Sequence, residues 1–384
     1  MSVTAPQGFV AAGGHVGIKA SGADDLAVVA TDDGQPVAAA GVFTQNLACA
    51  GPVRVSKRHL EATGGRASAV VLNSGNANCA TGTDVEVAVE MAELTAAAVG
   101  APSPEHVLVC STGLIGVTLD PAPLRAGIPT VAAARNAEGG PAAARAIMTT
   151  DTVPKTVTVE GDGWRIGGIA KGAAMLAPNM ATMLAVLTTD ADVAPATLKY
   201  DLAYAASASF NRVVVDGCTS TNDSVLVLAS GRAGAPDPPQ FSEALAVACL
   251  SLARQMAADA EGHTKVVTVE VAGAATDADA AVVARKLATS LLVKCSFYGN
   301  DPYWGRVLSD IGTAGVAVDI DNVTIAYDDV VVSKGLAPTG ADAAAVVAQP
   351  AFTLRCDLGV GRGNWFVLTN DLSHAYIDEN MGTS

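Results

Sequence analysis

The sequence predicts a layered fold of the α/β or α+β class. Short β-prone runs alternate with longer helical patterns along most of the chain, as expected where helices cover sheets. The runs Thr156–Val159 and Trp164–Ile169 flank the turn sequence GDG, which predicts a hairpin. Half of the 384 residues are hydrophobic, which supplies enough core for one large domain or two medium ones.

The elements of the first half are predicted where apolar runs meet polar, glycine-containing loops. Ser68–Leu72 is a β-prone run that ends at the loop NSGNANCATG. Val85–Val99 is predicted to be a helix, because Thr83 and Glu86 have capping-box spacing and a glycine follows its last residue. Val107–Cys110 is a further buried strand before the loop STGLIG.

The second half continues the alternation. The predicted helices are Leu198–Ser209, Phe241–Ala260 and Asp277–Leu292. The predicted strands are Arg212–Val215, Ser224–Ala229, Lys265–Val271, Phe352–Cys356 and Trp365–Leu368, with several short strands between Val316 and Val332. The proline-rich GAPDPPQ, residues 234–240, is predicted to be a surface loop.

The charge balance excludes one class of partner. The 38 acidic and 23 basic residues give a formal net charge of −15, and a chain this acidic repels a phosphate backbone, so nucleic-acid binding is not expected. A small anionic substrate would require a local cation. No signal-peptide pattern and no membrane-spanning apolar stretch is visible, so no membrane association and a cytoplasmic location are expected.

Cysteine and histidine spacing predicts neither a disulfide framework nor a metal site. The seven cysteines are odd in number and contain no C-x-x-C pair, and the five histidines are scattered. The G-x-S-x-G, H-E-x-x-H and Walker A motifs are all missing from the sequence.

The unusual segment is KGAAMLAPNMATML, residues 171–184, in which small residues lead into an apolar strand that starts at Thr182. One interpretation is a plain loop-to-strand junction, because β-branched residues commonly open strands. The other is an autocatalytic cut, in which the Thr182 hydroxyl attacks the preceding carbonyl and water then releases a free N-terminal threonine. Its α-amine, with a pKa of about 8, could accept the hydroxyl proton, so one residue would carry both nucleophile and base.

Motifs along essentially the whole chain carry a resemblance to one family. They are GVFTQN (41–46), VLNSGNANCATG (71–82), STGLIG (111–116), AIMTTDT (146–152), KGAAMLAPNMATMLAVLTTDA (171–191), DGCTSTNDS (216–224), ADAEGHTK (258–265), DPYWGR (301–306) and DLSHAYIDEN (371–380). In order and spacing they are similar to the ornithine acetyltransferase family, the bifunctional glutamate N-acetyltransferase and ornithine acetyltransferase of arginine biosynthesis. In that family the bond before the threonine of N-M-A-T is cut.

The resemblance implies an α/β fold, the layered α-β-β-α sandwich of the self-cleaving ornithine acetyltransferases and aminopeptidases. It implies a cut between Ala181 and Thr182, which gives an α chain of residues 1–181 and a β chain of residues 182–384. The two chains would fold together and form a heterotetramer with two copies of each. The implied reaction moves the acetyl group of N2-acetyl-L-ornithine to L-glutamate through an acetyl ester on Thr182, without a metal or a tightly bound cofactor.

The resemblance also implies roles for individual residues. Thr182 is the nucleophile, and Thr112 and Gly113 resemble the family's oxyanion hole, where a hydroxyl and a backbone N–H face the oxygen on which charge develops. Lys171 resembles the family's substrate-binding lysine and suits a carboxylate. Glu261 resembles the family's acidic substrate contact and suits an ammonium group.

The remaining implied substrate contacts are Thr149, Asn380 and Ser384. Thr150 is an alternative match for the first of these, because two threonines are adjacent in AIMTTDT.

Two other functions stay open. The first is a self-cleaving aminopeptidase or amidase that passes the acyl group to water, and the second is an uncut relative kept for binding. Lys171 and the C-terminal contacts favour a transferase, because they can hold a glutamate acceptor. Acetyl-CoA is a further candidate donor, as a co-substrate rather than a bound cofactor.

Overall fold

The computed structural model describes residues 2–176 and 183–382. Its strands are β1 (Phe9–Gly14), β2 (Leu26–Thr31), β3 (Val37–Phe43), β4 (Arg66–Ala67), β5 (Ala69–Asn76), β6 (Val107–Leu114), β7 (Lys155–Glu160), β8 (Arg165–Lys171), β9 (Leu184–Ala191), β10 (Val213–Val214), β11 (Ser224–Gly234), β12 (Val266–Ala274), β13 (Thr324–Tyr327), β14 (Val330–Lys334), β15 (Ala337–Pro338), β16 (Ala351–Asp357) and β17 (Gly363–Asn370). Its helices are α1 (Gly51–Ala62), α2 (Asp84–Val99), α3 (Pro121–Ala133), α4 (Gly140–Ala146), α5 (Pro195–Ala208), α6 (Pro238–Ala257), α7 (Asp277–Thr289), α8 (Leu291–Tyr298), α9 (Trp304–Gly312), α10 (Ala344–Val347) and α11 (His374–Glu379).

The strands form three sheets. The first sheet has the order β1-β2-β5-β6, the second β4-β3-β11-β9-β8-β7, and the third β10-β17-β12-β16-β13-β14-β15. The first two are antiparallel except for one parallel pair each, β5 with β6 and β9 with β11. Because parallel neighbours end at the same edge of a sheet, the carboxyl ends of β5 and β6 lie side by side.

The first and second sheets pack face to face between two layers of helices. In β9, Leu184 and Val186 face the core shared with the first sheet, whereas Ala185 and Leu187 face the core that α5 and α6 cover. Alternate residues of β2, β5 and β6 likewise face the shared core or the side of α2 and α3, as the period of two along a strand requires. The expected α-β-β-α sandwich is therefore confirmed.

The third sheet and the helices α7, α8 and α9 form a further core on the C-terminal side of the chain. Helix α7 packs on β12 and β17. The sequence predicted most of these strands but not a separate layer. Helix α9 was not predicted, because it buries only Val307 and Ile311, which is too short an apolar pattern to stand out.

Three local predictions are wrong. The predicted helix Asp277–Leu292 is two helices, because Ser290 has an extended backbone and its hydroxyl caps α8. The Thr83 side chain makes no capping hydrogen bond to α2. The proline-rich segment is not all loop, since Asp237 caps α6 by accepting the Gln240 N–H at 3.1 Å, and the prolines occupy the first turn.

The strands on either side of residues 177–182 are neighbours in the second sheet. β8 ends at Lys171 and β9 begins at Leu184, and these two residues lie opposite each other in an antiparallel pair. The second sheet thus contains β3, β4, β7 and β8 from before the predicted cut and β9 and β11 from after it. Ala181, Thr182 and Ser384 lie outside the described residues, so the cut, the nucleophile and the last substrate contact stay predictions.

Candidate active site

Three predicted site residues from separate segments meet at one place. Lys171, the last residue of β8, donates from Nζ to Thr149 Oγ1 at 2.7 Å and to Thr112 Oγ1 at 3.3 Å. Thr112 lies near the end of β6 and Thr149 follows α4. Because Thr112 Oγ1 accepts from Lys171, its own hydroxyl hydrogen remains available to a ligand.

Buried amides hold the ends of β5 and β6 in place. The segments NSGN and STGL, predicted as loops, are the last residues of these strands. Asn73 accepts the Ser111 hydroxyl on Oδ1 at 2.5 Å and donates from Nδ2 to the Asn76 carbonyl at 2.8 Å. Asn222, from the loop before β11, donates to the Ser111 carbonyl at 2.9 Å. These contacts fix the backbone immediately before Thr112.

Gly113 is required by the close approach of the two strand ends. Its φ is +134°, and a Cβ at this position would lie 2.7 Å from the Gly75 carbonyl oxygen and would also collide with the Gly75 carbonyl carbon and the Asn76 nitrogen. Only glycine allows this approach. The position of Gly113 in the predicted oxyanion hole therefore depends on the absence of a side chain.

Lys171 is a buried cation, only 3% exposed. Burial lowers its pKa, and the carboxylate of Asp151, with Oδ2 at 3.9 Å from Nζ, opposes that effect. The negative charge of Glu261 also raises the pKa of Lys171. A desolvated ammonium held in this way is a strong partner for a carboxylate.

Asp151 joins the parts of the site, and sequence reasoning did not single it out. Its Oδ2 accepts the Thr149 N–H at 3.0 Å, and its Oδ1 accepts the Gly172 N–H at 2.7 Å. Asp151 therefore contacts Lys171, its neighbour Gly172 and Thr149. Its place in the motif AIMTTDT was the only available signal.

A second buried lysine forms an ion pair with Asp151. Lys155 is fully buried and contacts Asp151 Oδ1 at 2.7 Å and Asp259 Oδ2 at 2.5 Å. Burial alone would raise the pKa of Asp151, but the cations of Lys171 and Lys155 outweigh it and lower the pKa to about 2. Asp151 is therefore ionised at neutral pH.

Glu261 and Asn380, two of the predicted substrate contacts, are hydrogen-bonded to each other. Asn380 donates from Nδ2 to Glu261 Oε2 at 2.9 Å. The Glu261 N–H donates to the Ala173 carbonyl at 3.0 Å, which ties Glu261 to the segment that follows Lys171. The structure thus brings the predicted acidic contact to the same side of the molecule as the predicted cation.

Asp223 is a further buried carboxyl group that sequence reasoning missed. Its Oδ1 accepts the N–H of Met183 at 3.0 Å, one residue after Thr182. Its Oδ2 has no partner within the described ranges. Burial raises the pKa of Asp223 well above its usual range, although Lys171 lowers it in part.

The two candidate threonines of AIMTTDT differ in position. Thr149 contacts Lys171 and Asp151, whereas Thr150 is exposed. The geometry therefore favours Thr149 as the substrate contact.

Residues 2–176 and 183–382 contain neither a metal-ligand cluster nor a membrane-spanning helix. No group of three or more His, Cys, Asp or Glu residues there is arranged to hold a metal ion. No helix in these ranges has the length and apolar character needed to cross a membrane. The described part of the site supplies a lysine ammonium, two threonine hydroxyls and a carboxylate.

Comparison with known proteins assigns the family. The model of the ArgJ family matches residues 10–382. The chain is 46% identical to the arginine biosynthesis bifunctional protein ArgJ of Thermobifida fusca over the full length of both, and 47% identical to that of Mycobacterium tuberculosis strain H37Rv, over 100% of this chain and 96% of the relative. A solved structure of ornithine acetyltransferase with ornithine, from Mycobacterium tuberculosis, is 47% identical, with a TM-score of 0.44 over 46% of this chain and 94% of that one. The chain belongs to the ArgJ family.

Proposed function

We propose that this chain transfers the acetyl group of N2-acetyl-L-ornithine to L-glutamate and releases L-ornithine and N-acetyl-L-glutamate. The observation that carries the proposal is the buried Lys171 ammonium, which holds the Thr112 and Thr149 hydroxyls just before the segment that ends in Thr182. The relatives named for arginine biosynthesis, which match the chain from end to end, support the same reaction.

The chain first cuts itself before Thr182. The hydroxyl attacks the Ala181 carbonyl, the acyl group shifts from nitrogen to oxygen, and water hydrolyses the ester. Thr182 then has a free α-amine, which titrates near neutral pH and can take the proton of its own hydroxyl. Asp223 lies one residue away, at the Met183 N–H.

The transfer proceeds in two halves. Thr182 Oγ attacks the acetyl carbonyl of the donor while the α-amine takes its proton, and the Thr112 hydroxyl and Gly113 N–H stabilise the tetrahedral oxyanion. Collapse breaks the carbon–nitrogen bond, and the α-amine returns the proton to the departing ornithine nitrogen. The α-amine of glutamate then attacks the acetyl ester and regenerates the Thr182 hydroxyl.

Two charged groups orient the substrates. Both donor and acceptor carry an α-carboxylate, which Lys171 and Thr149 bind in each half of the reaction. Glu261, with Asn380 beside it, binds the side-chain ammonium of ornithine. Ser384 is a further substrate contact. No step requires a metal or a bound cofactor.

The subunit assembly and the cellular compartment that we infer are those implied by the resemblance to the family. Residues 1–181 and 182–384 remain together as α and β chains, and two copies of each form the active heterotetramer. The seven cysteines are unpaired, which favours a reducing compartment such as the cytoplasm.

The test is to incubate the purified protein with N2-acetyl-L-ornithine with and without L-glutamate. We expect N-acetylglutamate to form only with both substrates, parallel double-reciprocal plots, and activity that persists in EDTA. Acetyl-CoA in place of acetylornithine shows whether Thr182 also accepts that donor. Release of free acetate at the same rate without glutamate would instead identify an amidase on this scaffold.

A further inference from the structure

Thr149, a substrate contact in the proposed function, lies in an irregular part of the chain. Helix α4 ends at Ala146 and β7 begins at Lys155, and Thr149 falls between them. Its hydroxyl accepts from Lys171 at 2.7 Å, which orients the side chain but does not fix the path of the backbone. Other contacts must therefore hold the backbone at this point.

Both polar groups of the peptide unit between Met148 and Thr149 are hydrogen-bonded to charged side chains. The Met148 carbonyl accepts from Lys19 Nζ at 2.7 Å, and the Thr149 N–H donates to Asp151 Oδ2 at 3.0 Å. Because a peptide unit is planar, two bonds at its opposite edges fix its orientation and hence the direction in which the Thr149 side chain leaves it. Hydrogen bonds to charged groups are also stronger than neutral ones.

Lys19 belongs to a loop that is itself held in place. The backbone N–H groups of residues 16–19 all donate to the carboxylate of Asp25, at 2.7–3.2 Å, and Asp25 is fully buried. Lys19 Nζ also donates to the Asp24 carbonyl at 2.7 Å. The ammonium is thus placed before a substrate enters, as a group that supports a binding residue needs to be.

The aliphatic stem of Lys19 lies against the end of β5. A Cβ on Gly75 would lie 2.9 Å from Lys19 Cγ, and Gly75 is opposite Gly113 in the β5–β6 pair. Lys19 therefore contacts the strand end that supports the proposed oxyanion hole with its stem, and the segment that carries Thr149 with its ammonium.

We propose that Lys19 is a positioning residue, which holds the Met148–Thr149 peptide so that the Thr149 hydroxyl faces Lys171 and the substrate carboxylate. This role rests on the proposed function, because it acts through the contact of Thr149 with the substrates. The α-carboxylate is common to donor and acceptor, so loss of the Lys19 ammonium weakens the binding of both.

The test is Lys19→Met, which removes the ammonium and keeps an unbranched apolar stem against Gly75. We expect the KM for acetylornithine and for glutamate, and the Kd for L-ornithine measured by calorimetry, to rise by about tenfold. The value of kcat should change little, because binding is lost equally from the ground state and the transition state. Lys19→Arg keeps a donor for the Met148 carbonyl and should restore most of the affinity.

The same substitution in a Thr149→Ala chain shows whether Lys19 acts through Thr149. Residues that act through one another have non-additive effects, whereas independent residues add. We expect Lys19→Met to raise the Kd for ornithine little further once the Thr149 hydroxyl is removed. Full additivity would mean that Lys19 contributes independently of Thr149, and it would overturn the positioning role.

Lys265→Met is the control for a general loss of stability. Lys265 also donates to a backbone carbonyl, that of Val347 at 2.5 Å, but it lies at the start of β12 in the third sheet. This variant should lower the free energy of unfolding and leave the Kd for ornithine unchanged.

Two results would overturn the role of Lys19: an unchanged Kd in Lys19→Met, or an equal rise in Kd in Lys19→Met and Lys265→Met. A wild-type protein that forms no N-acetylglutamate from acetylornithine and glutamate contradicts the proposed function instead. The two failures are therefore distinguishable.

Discussion

At the scale of single residues, the site depends on the buried Lys171, whose pKa is shifted in opposite directions by its burial and by a neighbouring carboxylate. Burial lowers the pKa of Lys171, and Asp151 raises it. Asp151 itself is held ionised by Lys171 and Lys155. The Asp151 carboxylate therefore favours the charged form of Lys171, the form that suits a substrate carboxylate.

Asp151→Asn should weaken the binding of both substrates. Without the carboxylate the pKa of Lys171 falls further, so we expect the KM for acetylornithine and for glutamate to rise together by about tenfold. Activity should also be lost at a lower alkaline pH than in the wild type, because Lys171 gives up its proton earlier. Steady-state kinetics across the pH range measures both effects.

The free energy of unfolding of Asp151→Asn helps to distinguish a role of Asp151 in positioning Lys171 from a role in stabilising the fold. The pKa of Asp151 is lowered to about 2, so the carboxylate stabilises the fold above its ordinary pKa, and this stabilisation is lost as pH falls from about 4 towards 2. Breaking such a buried pair costs about 3–5 kcal/mol at neutral pH. Asp259→Asn removes the other partner of Lys155 and should lower the free energy of unfolding without changing either KM. Equal KM values in Asp151→Asn and the wild type would contradict the role given to Asp151.

At the scale of elements, the oxyanion hole depends on how closely the ends of β5 and β6 approach. Gly113→Ala should reduce kcat by about 100-fold or more, because the new Cβ collides with the backbone of Gly75 and moves an oxyanion donor. Gly116→Ala is the control, since that glycine also has a positive φ but has open space around it. It should cost about 1 kcal/mol of stability and little activity. Similar kcat values for the two variants would show that the Gly113 backbone is not part of the site.

The strands also show which features of this fold can be predicted from the sequence. The hairpin β7–β8 was predicted because period-two runs and a GDG turn are local signals, and the structure confirms it. The strand ends at Asn73 and Ser111 were predicted as loops, because their hydrogen bonds come from residues far along the chain, such as Asn222. Asp151 was missed for the same reason, since only folding brings Lys171 and Gly172 to its carboxylate.

At the scale of the whole molecule, the predicted cut falls between two strands of one sheet. β8 and β9 precede and follow residues 177–182 in the sequence, and they pair with each other along their length. β9 also pairs with β11. The core between the first and second sheets contains residues from both sides of the predicted cut. We therefore expect the two chains to remain associated in native buffer and to separate only in denaturant.

Intact-mass measurement after incubation with N2-acetyl-L-ornithine alone tests the central claim most directly. We expect one species under native conditions and two chains in denaturant, residues 1–181 and residues 182–384, with one acetyl group on Thr182 of the second chain. Thr182→Ala should give a single full-length chain without acetyl. A wild-type chain that stays uncut, or a second chain that stays unmodified while acetyl still passes to glutamate, would contradict the covalent role of Thr182.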